Sequence, residues 1–228
     1  MLLLAFDTAG PDCAVAVARS AGGTPEILAR ANERIGRGHA ERLMPMIEAV
    51  LREAGISFQD LDRVGATVGP GSFTGIRVGV AAARGLSLAL DIAAVGVGSL
   101  DALLHPVART DPTGTAVAVL DARRSEVYAL ARSFADNKVV TEAGAFRPEA
   151  LSTRLAGVAR PLVFTGAGAA LVAGLFPASE VRIAGAAECP DIADVAALAL
   201  ASEARQAPSP FYARGADAKP QHAAMALP

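Results

Sequence analysis

The stretch Gly69-Pro70-Gly71-Ser72-Phe73-Thr74-Gly75-Ile76-Arg77-Val78-Gly79 joins a glycine-rich turn to a long helix with almost no polar surface. Glycines at 69, 71 and 75 allow positive φ or the close approach of another group, and Pro70 stiffens the turn between them. The helix expected from about Phe73 to Leu90 carries only Arg77 and Arg84 as charges. A helix so poor in polar residues needs cover on nearly every side. Gly75, Gly79 and Ala83 fall on one face, and Ala81, Gly85 and Ala89 form a second small-residue row. Two neighbours are therefore expected to approach closely, the core on one side and a partner subunit on the other.

Spacing tests the phosphate-binding readings of this loop. It is not G-x-G-x-x-G and lacks the lysine and hydroxyl residue that end a P-loop, so neither the dinucleotide nor the Walker mechanism is supported. Backbone N–H groups at the helix N-terminus still favour an anion. A tight strand-to-helix turn is the preferred reading, since glycine often serves geometry alone.

Composition bounds the rest. The chain has 228 residues, 52% of them hydrophobic, which is enough for one large domain or two small lobes with a sizeable core. No membrane segment is expected, because Arg84 and Ser87 interrupt the longest apolar run. Met1 to Phe6 is apolar but meets Asp7 at once and has no basic stretch before it. It reads as a buried strand rather than a signal peptide, and a cytoplasmic location is expected. Cys13 and Cys189, the only cysteines, read as small buried residues of a reducing compartment rather than as a disulfide or a nucleophile. A formal charge of −2 leaves no basic footprint for autonomous nucleic-acid binding.

Along the chain, strands are expected at Leu2 to Asp7, Asp12 to Ala18 and Glu26 to Asn32. A helix follows at His39 to Ala54, where Leu43, Met46 or Ile47, Val50 and Leu51 mark the apolar face and Gly55 the stop. Then come a strand at Arg63 to Val68, the glycine loop, the apolar helix, a strand at Ala93 to Val97 and a short helix at Ser99 to His105. Polar turn formers from Arg109 to Gly114 mark the best boundary, dividing the chain into lobes 1–108 and 109–228. In the second, strands at Thr115 to Asp121, Glu126 to Phe134 and Val139 to Ala145 precede a helix from Pro148, a strand at Leu162 to Thr165 and a helix from about Ala167. The last helix runs from Asp191 to Gln206, and beyond Pro208 the tail is expected to be irregular. Two successive βββαβα units, each a mixed sheet with helices against it, imply an α/β fold of two lobes facing across a cleft. This is the duplicated topology of the actin, sugar kinase and Hsp70 ATPase class, the ribonuclease-H-like or ASKHA fold. Asp7 and Asp121 end the first strand of each half, where that class places phosphate- and metal-facing turns. An aspartate there is equally a common turn residue.

Four segments together resemble the bacterial TsaB family, also called YeaZ. They are Leu3-Leu4-Ala5-Phe6-Asp7-Thr8, Gly38-His39-Ala40-Glu41-Arg42-Leu43-Met44-Pro45, the run from Gly69 to Arg77, and Asp121-Ala122-Arg123-Arg124-Ser125-Glu126-Val127-Tyr128. The C-terminal third matches more loosely, through Gly166-Ala167-Gly168 and Pro210-Phe211-Tyr212-Ala213-Arg214. The resemblance implies a noncatalytic dimerisation and scaffold subunit of the machinery that forms threonylcarbamoyladenosine beside the anticodon of tRNAs reading codons that start with A. Its implied partners are a TsaD-like catalytic subunit, a TsaE-like ATPase, a second copy when alone, and tRNA mainly through the complex. Pairing in the family runs through the two first-lobe helices. The residues expected to meet a partner are therefore Leu43, Ile47 and Val50 on one and Arg77, Val80, Ala81, Arg84 and Leu88 on the other.

Catalytic relatives carry a metal-holding histidine pair, spaced i and i+4, just after the strand matching Ala93 to Val97. Here the segment reads Gly98-Ser99-Leu100-Asp101-Ala102. His105 stands alone, and a lone imidazole builds no stable metal shell. No catalytic residue, metal or cofactor is expected, and this argues against a metallopeptidase. Asp7, Thr8 and Asp121 are left as a vestigial nucleotide or phosphate site. The other reading that the fold allows is a small ATP-dependent phosphotransferase, in which Asp7 and Asp121 hold magnesium and a nucleotide. His39 is read as a helix-terminal hydrogen-bonding residue rather than a general base. Arg123 and Arg124 are read as ion-pairing residues rather than anion ligands.

Overall fold

A computed structural model describes residues 1–21, 24–110, 113–203 and 206–213. Three strands, β1 (Leu2–Asp7), β2 (Asp12–Ala21) and β3 (Thr24–Arg34), are followed by α1 (His39–Ala54), β4 (Arg63–Gly69), α2 (Phe73–Leu90), β5 (Ala93–Gly98) and α3 (Ser99–Thr110). The pattern then repeats as β6 (Thr115–Arg123), β7 (Glu126–Ser133), β8 (Val139–Phe146), α4 (Pro148–Arg154), β9 (Leu162–Thr165), α5 (Ala169–Ala173), β10 (Val181–Ile183) and α6 (Ile192–Ala201).

The two five-stranded sheets have orders β3-β2-β1-β4-β5 and β8-β7-β6-β9-β10. In each, the first and second strands run antiparallel and the first pairs in parallel with the fourth. Both central strands are buried on two faces and so read as apolar runs rather than alternating ones. Leu4 and Phe6 of β1 face one cluster with α1 and α2, while Leu3 and Ala5 face another with α6. Likewise Val117 and Val119 of β6 pack with α4 and α5, whereas Ala116, Ala118 and Leu120 pack with α3.

Helix placement crosses the order of the chain. α3 follows the first sheet yet covers the second, and α6 comes at the end yet covers the first. The division at 108/109 falls inside α3. Residues 111 and 112 of the expected boundary lie outside the described residues. Gly65 makes room for α6, since a Cβ there would lie 2.6 Å from that of Ala199. Arg63 closes the helix by donating to the carbonyls of Ala199 (2.9 Å) and Ser202 (2.8 Å), groups a helix end otherwise leaves unpaired. The helix starts where Asp191 caps it, accepting from the Ala193 amide at 2.9 Å. It ends at Ala201, short of the expected Gln206. β10 escaped the sequence reading because Val-Arg-Ile is too short to carry a period-2 signal.

α1 ends as expected at Gly55, whose φ of 67° suits a left-handed cap. α2 begins under the Ser72 hydroxyl, which accepts from the Gly75 amide at 3.3 Å. By length and composition α2 is long enough and apolar enough to cross a membrane, with a mean hydropathy of 1.3. Arg77 and Arg84 both lie within that stretch. Its inner face packs on β4, β5 and α1.

Candidate functional site

Three segments meet where β1 ends. The Asp7 carboxyl is buried, and its Oδ1 accepts from the Ala9 amide at 2.8 Å and from the Thr67 hydroxyl. Its Oδ2 has no hydrogen-bond partner among the described residues. Burial raises the Asp7 pKa above its ordinary value of 3.8, against the lowering effect of the Thr67 and Ala9 hydrogen bonds. Thr8 is buried too and donates to the Gly75 carbonyl at 2.7 Å. The glycines of the loop are explained by this contact. A Cβ at Gly71 would overlap the Ala9 carbonyl, one at Gly75 the Thr8 carbonyl, and one at Gly79 would lie 2.6 Å from the Thr8 hydroxyl oxygen. The start of α2 thus lies directly on the Asp7–Ala9 turn.

The matching turn of the second lobe is different. Asp121 is exposed and its Oδ1 accepts from the Arg123 amide at 2.7 Å. Arg123, Arg124 and Ser125 all have positive φ, at 61°, 54° and 61°. That conformation is uncommon away from glycine, and both arginines are exposed. A magnesium nucleotide does not fit at Asp7, whose carboxyl is buried beneath the start of α2. Among the described residues no cluster of three or more His, Cys, Asp or Glu side chains is arranged to hold a metal ion. Asp101 pairs with Arg132 at 2.6 Å, and His105 Nδ1 lies 2.7 Å from Asp194, tying α3 to α6. His39 Nε2 lies 3.1 Å from the Asp12 carbonyl, a hydrogen bond at the start of α1. Burial pushes the Cys13 thiol up to about 11 and the Cys189 thiol up to about 12, and both are free. Neither is set up as a nucleophile.

The helix pair sorts the expected partner residues into three groups. Leu43, Ile47 and Val50 are 1%, 0% and 1% exposed and pack on the first sheet. They are core residues and offer nothing to a partner, because the apolar stripe of α1 is the one the sheet needs. The outward face of α1 is instead Glu41, Met44, Pro45, Glu48, Ala49, Arg52 and Glu53. Val80 is also buried, against Ala9 and Ile76 at the β1 turn. Ala81 and Leu88 do face outward, Leu88 with 87% exposure.

Arg77 and Arg84 lie on the same outward stripe as Ala81 and Leu88 but hold a segment that the sequence reading left as an irregular tail. Residues 206–213 have no regular structure. Arg84 Nε donates to the Pro208 carbonyl at 2.7 Å, and Arg77 Nε to the Tyr212 hydroxyl at 2.9 Å. The Phe211 amide donates to the Val68 carbonyl at 2.8 Å. Tyr212 packs on Phe73 with centroids 5.0 Å apart, and the Arg77 guanidinium sits 3.8 Å from the centre of the Phe73 ring. Space for the segment is built in, since a Cβ at Gly69 would lie 2.6 Å from the Phe211 carbonyl oxygen. The usable signal was the pair Phe211-Tyr212 amid small residues; the remaining tail, 214–228 with Arg214, lies outside the described residues.

The family model for TsaD, tRNA N6-adenosine threonylcarbamoyltransferase, matches residues 20–199. The chain is 34% identical over 128 residues to the tRNA threonylcarbamoyladenosine biosynthesis protein TsaB of Haemophilus influenzae, over 56% of this chain and 52% of that protein. A crystal structure of a Pseudomonas aeruginosa protein with similarity to peptidase YeaZ superposes with a TM-score of 0.73 and 29% identity, covering 93% of this chain and 99% of the other. The chain belongs to the TsaD family, in its TsaB/YeaZ branch. It spans about half the length of the curated TsaB relative it matches. It is also 44% identical over 80 residues to the tRNA N6-adenosine threonylcarbamoyltransferase of Erythrobacter litoralis, 35% of this chain and 21% of that one. The architecture, a duplicated α/β two-lobed fold of the actin-like class, agrees with TsaB/YeaZ membership.

Proposed function

We propose that this chain is a noncatalytic docking subunit in threonylcarbamoyladenosine formation on tRNA, binding a TsaD-like catalytic subunit through the outward face of α1 and α2. The observation that carries the reading is the outward stripe of α2, where Phe73, Ala81, Gly85, Leu88 and Ala89 stand exposed alongside Arg77 and Arg84. A contiguous apolar helix face of this kind is covered in a working assembly. Small residues there let another helix approach closely, and related chains of similar shape are natural occupants. The TsaB relative and the transferase relative support the pathway. With it we propose a homodimer in the free protein, a TsaE-like ATPase and tRNA as further members of the assembly, and a cytoplasmic setting. The covered Asp7–Thr8 turn weighs against the phosphotransferase reading, because a nucleotide reaches it only if the start of α2 moves.

The test is depletion in cells followed by mass spectrometry of tRNA nucleosides, together with capture of a tagged TsaD-like protein. Threonylcarbamoyladenosine should fall while other anticodon modifications stay level, and the two proteins should co-purify. An unchanged nucleoside level overturns the pathway. Turnover of ATP or peptide by the isolated chain that is lost in Asp7→Ala overturns the noncatalytic role.

A further inference from the structure

We infer that the segment from Pro208 to Ala213 is a built part of the docking surface, a strap that sets two arginines and adds two aromatic rings for a helix pair of the same kind to cover. The inference rests on the reading above that the α1–α2 face docks a partner. Its own support lies in what the strap does to Arg77 and Arg84. Both guanidinium groups are hydrogen-bonded to neutral oxygens, a tyrosine hydroxyl and a backbone carbonyl. Each is therefore oriented while its charge is left uncancelled by the strap. Phe211 and Tyr212 are 37% and 42% exposed, and the Tyr212 ring packs on Phe73 and extends its apolar surface. Oriented cations beside exposed aromatic rings are the composition of an interface centre.

The occupant follows from charge. The exposed residues of α2 include Arg77 and Arg84 and no acid, whereas those of α1 include Glu41, Glu48 and Glu53 against Arg52, with Arg42 paired to Glu33. A two-fold arrangement lays the acidic α1 of one copy over the basic α2 and strap of the other, and then repeats the contact. The surface is self-complementary, so a second copy of this chain is its occupant in the free protein. Strap residues that hold the cations in place raise both the strength and the salt dependence of that contact.

Sedimentation of the full chain at low and high salt tests this, with Ala81→Glu reporting on the helix face and Tyr212→Ala on the strap. Circular dichroism confirms that each variant is folded. Wild type should form a dimer that salt weakens, Ala81→Glu should be monomeric, and Tyr212→Ala should dissociate about tenfold more readily with a shallower salt dependence. Tyr212→Phe keeps the ring on Phe73 but not the acceptor for Arg77, and should fall between wild type and Tyr212→Ala. If Ala81→Glu abolishes the dimer and Tyr212→Ala stays within about twofold of wild type, under the tenfold scale of an interface anchor, the strap inference is overturned and the docking face stands. A dimer indifferent to Ala81→Glu overturns both. A chain monomeric at every attainable concentration overturns the inference and the proposed homodimer, and leaves docking to the catalytic relative, which capture reads separately.

Discussion

Replacing Gly75 by alanine adds one methyl group to a helix and should nevertheless destabilise the protein strongly. The new Cβ would lie closer than 3.0 Å to the Thr8 carbonyl oxygen, a backbone atom that no side-chain rotation moves aside. The start of α2 or the β1 turn must shift by about an ångström. Overpacking of this sort costs about 1–3 kcal/mol, and more where backbone must move. The shift also loosens the buried bond from the Thr8 hydroxyl to the Gly75 carbonyl, worth about 1 kcal/mol. Alanine gains at most about 1 kcal/mol over glycine in helix propensity. The net expectation is a loss of about 3 kcal/mol, or roughly 6–12 °C in Tm for a chain of this size. Gly85, on the same helix, is the internal control, because a Cβ there meets nothing within 4 Å. Gly85→Ala should raise stability by up to about 1 kcal/mol. Thermal and urea melts of the two variants should move in opposite directions. A Gly75→Ala variant that melts with wild type would show that close approach to β1 is not what the glycine serves.

Two further tests separate core from surface and read the buried acid. Ile47→Ala should cost about 2–5 kcal/mol in urea melts, whereas Leu88→Asp, at a residue 87% exposed, should stay within about 0.5 kcal/mol and yet abolish partner capture; the opposite pattern would mean that the outward face of the helix pair has been misassigned. Because the folded pKa of Asp7 is raised above its ordinary 3.8, the folded state holds its proton longer than the unfolded one. Its contribution is fully present below 3.8 and is lost as pH rises through the folded pKa. Asp7→Asn should therefore flatten the fall of Tm with pH above 4 and be at least as stable at neutral pH, since an unpaired amide costs less to bury than an unpaired charge. A neutral-pH Asn variant much less stable than wild type would mean that an ionised Asp7 has a cationic partner at Oδ2.

Local sequence determined the elements whose signals are local. The run Leu2 to Asp7, the helix from His39 to the stop at Gly55, and the turn and helix around Gly69 to Leu90 were legible from periodicity, caps and glycines. So was the repeat of a βββαβα order, which already implies two sheets in one topology. Tertiary structure decided what those signals were for. An apolar stripe at Leu43, Ile47 and Val50 reads alike whether a sheet or a partner covers it, and only packing assigned it to the sheet. The glycines of the loop announced a close approach without naming the neighbour, which turned out to be the Asp7–Ala9 turn. Arg77 and Arg84 were legible as exposed cations on α2, but not that residues more than a hundred positions later would hold and orient them. The crossing of α3 and α6 between sheets has no local signature either, since an apolar helix carries no record of which sheet it will cover. Hydrogen-bond caps and periodicity act over a few residues, whereas burial is a property of the whole chain; that difference in range separates what could be read from what had to be seen.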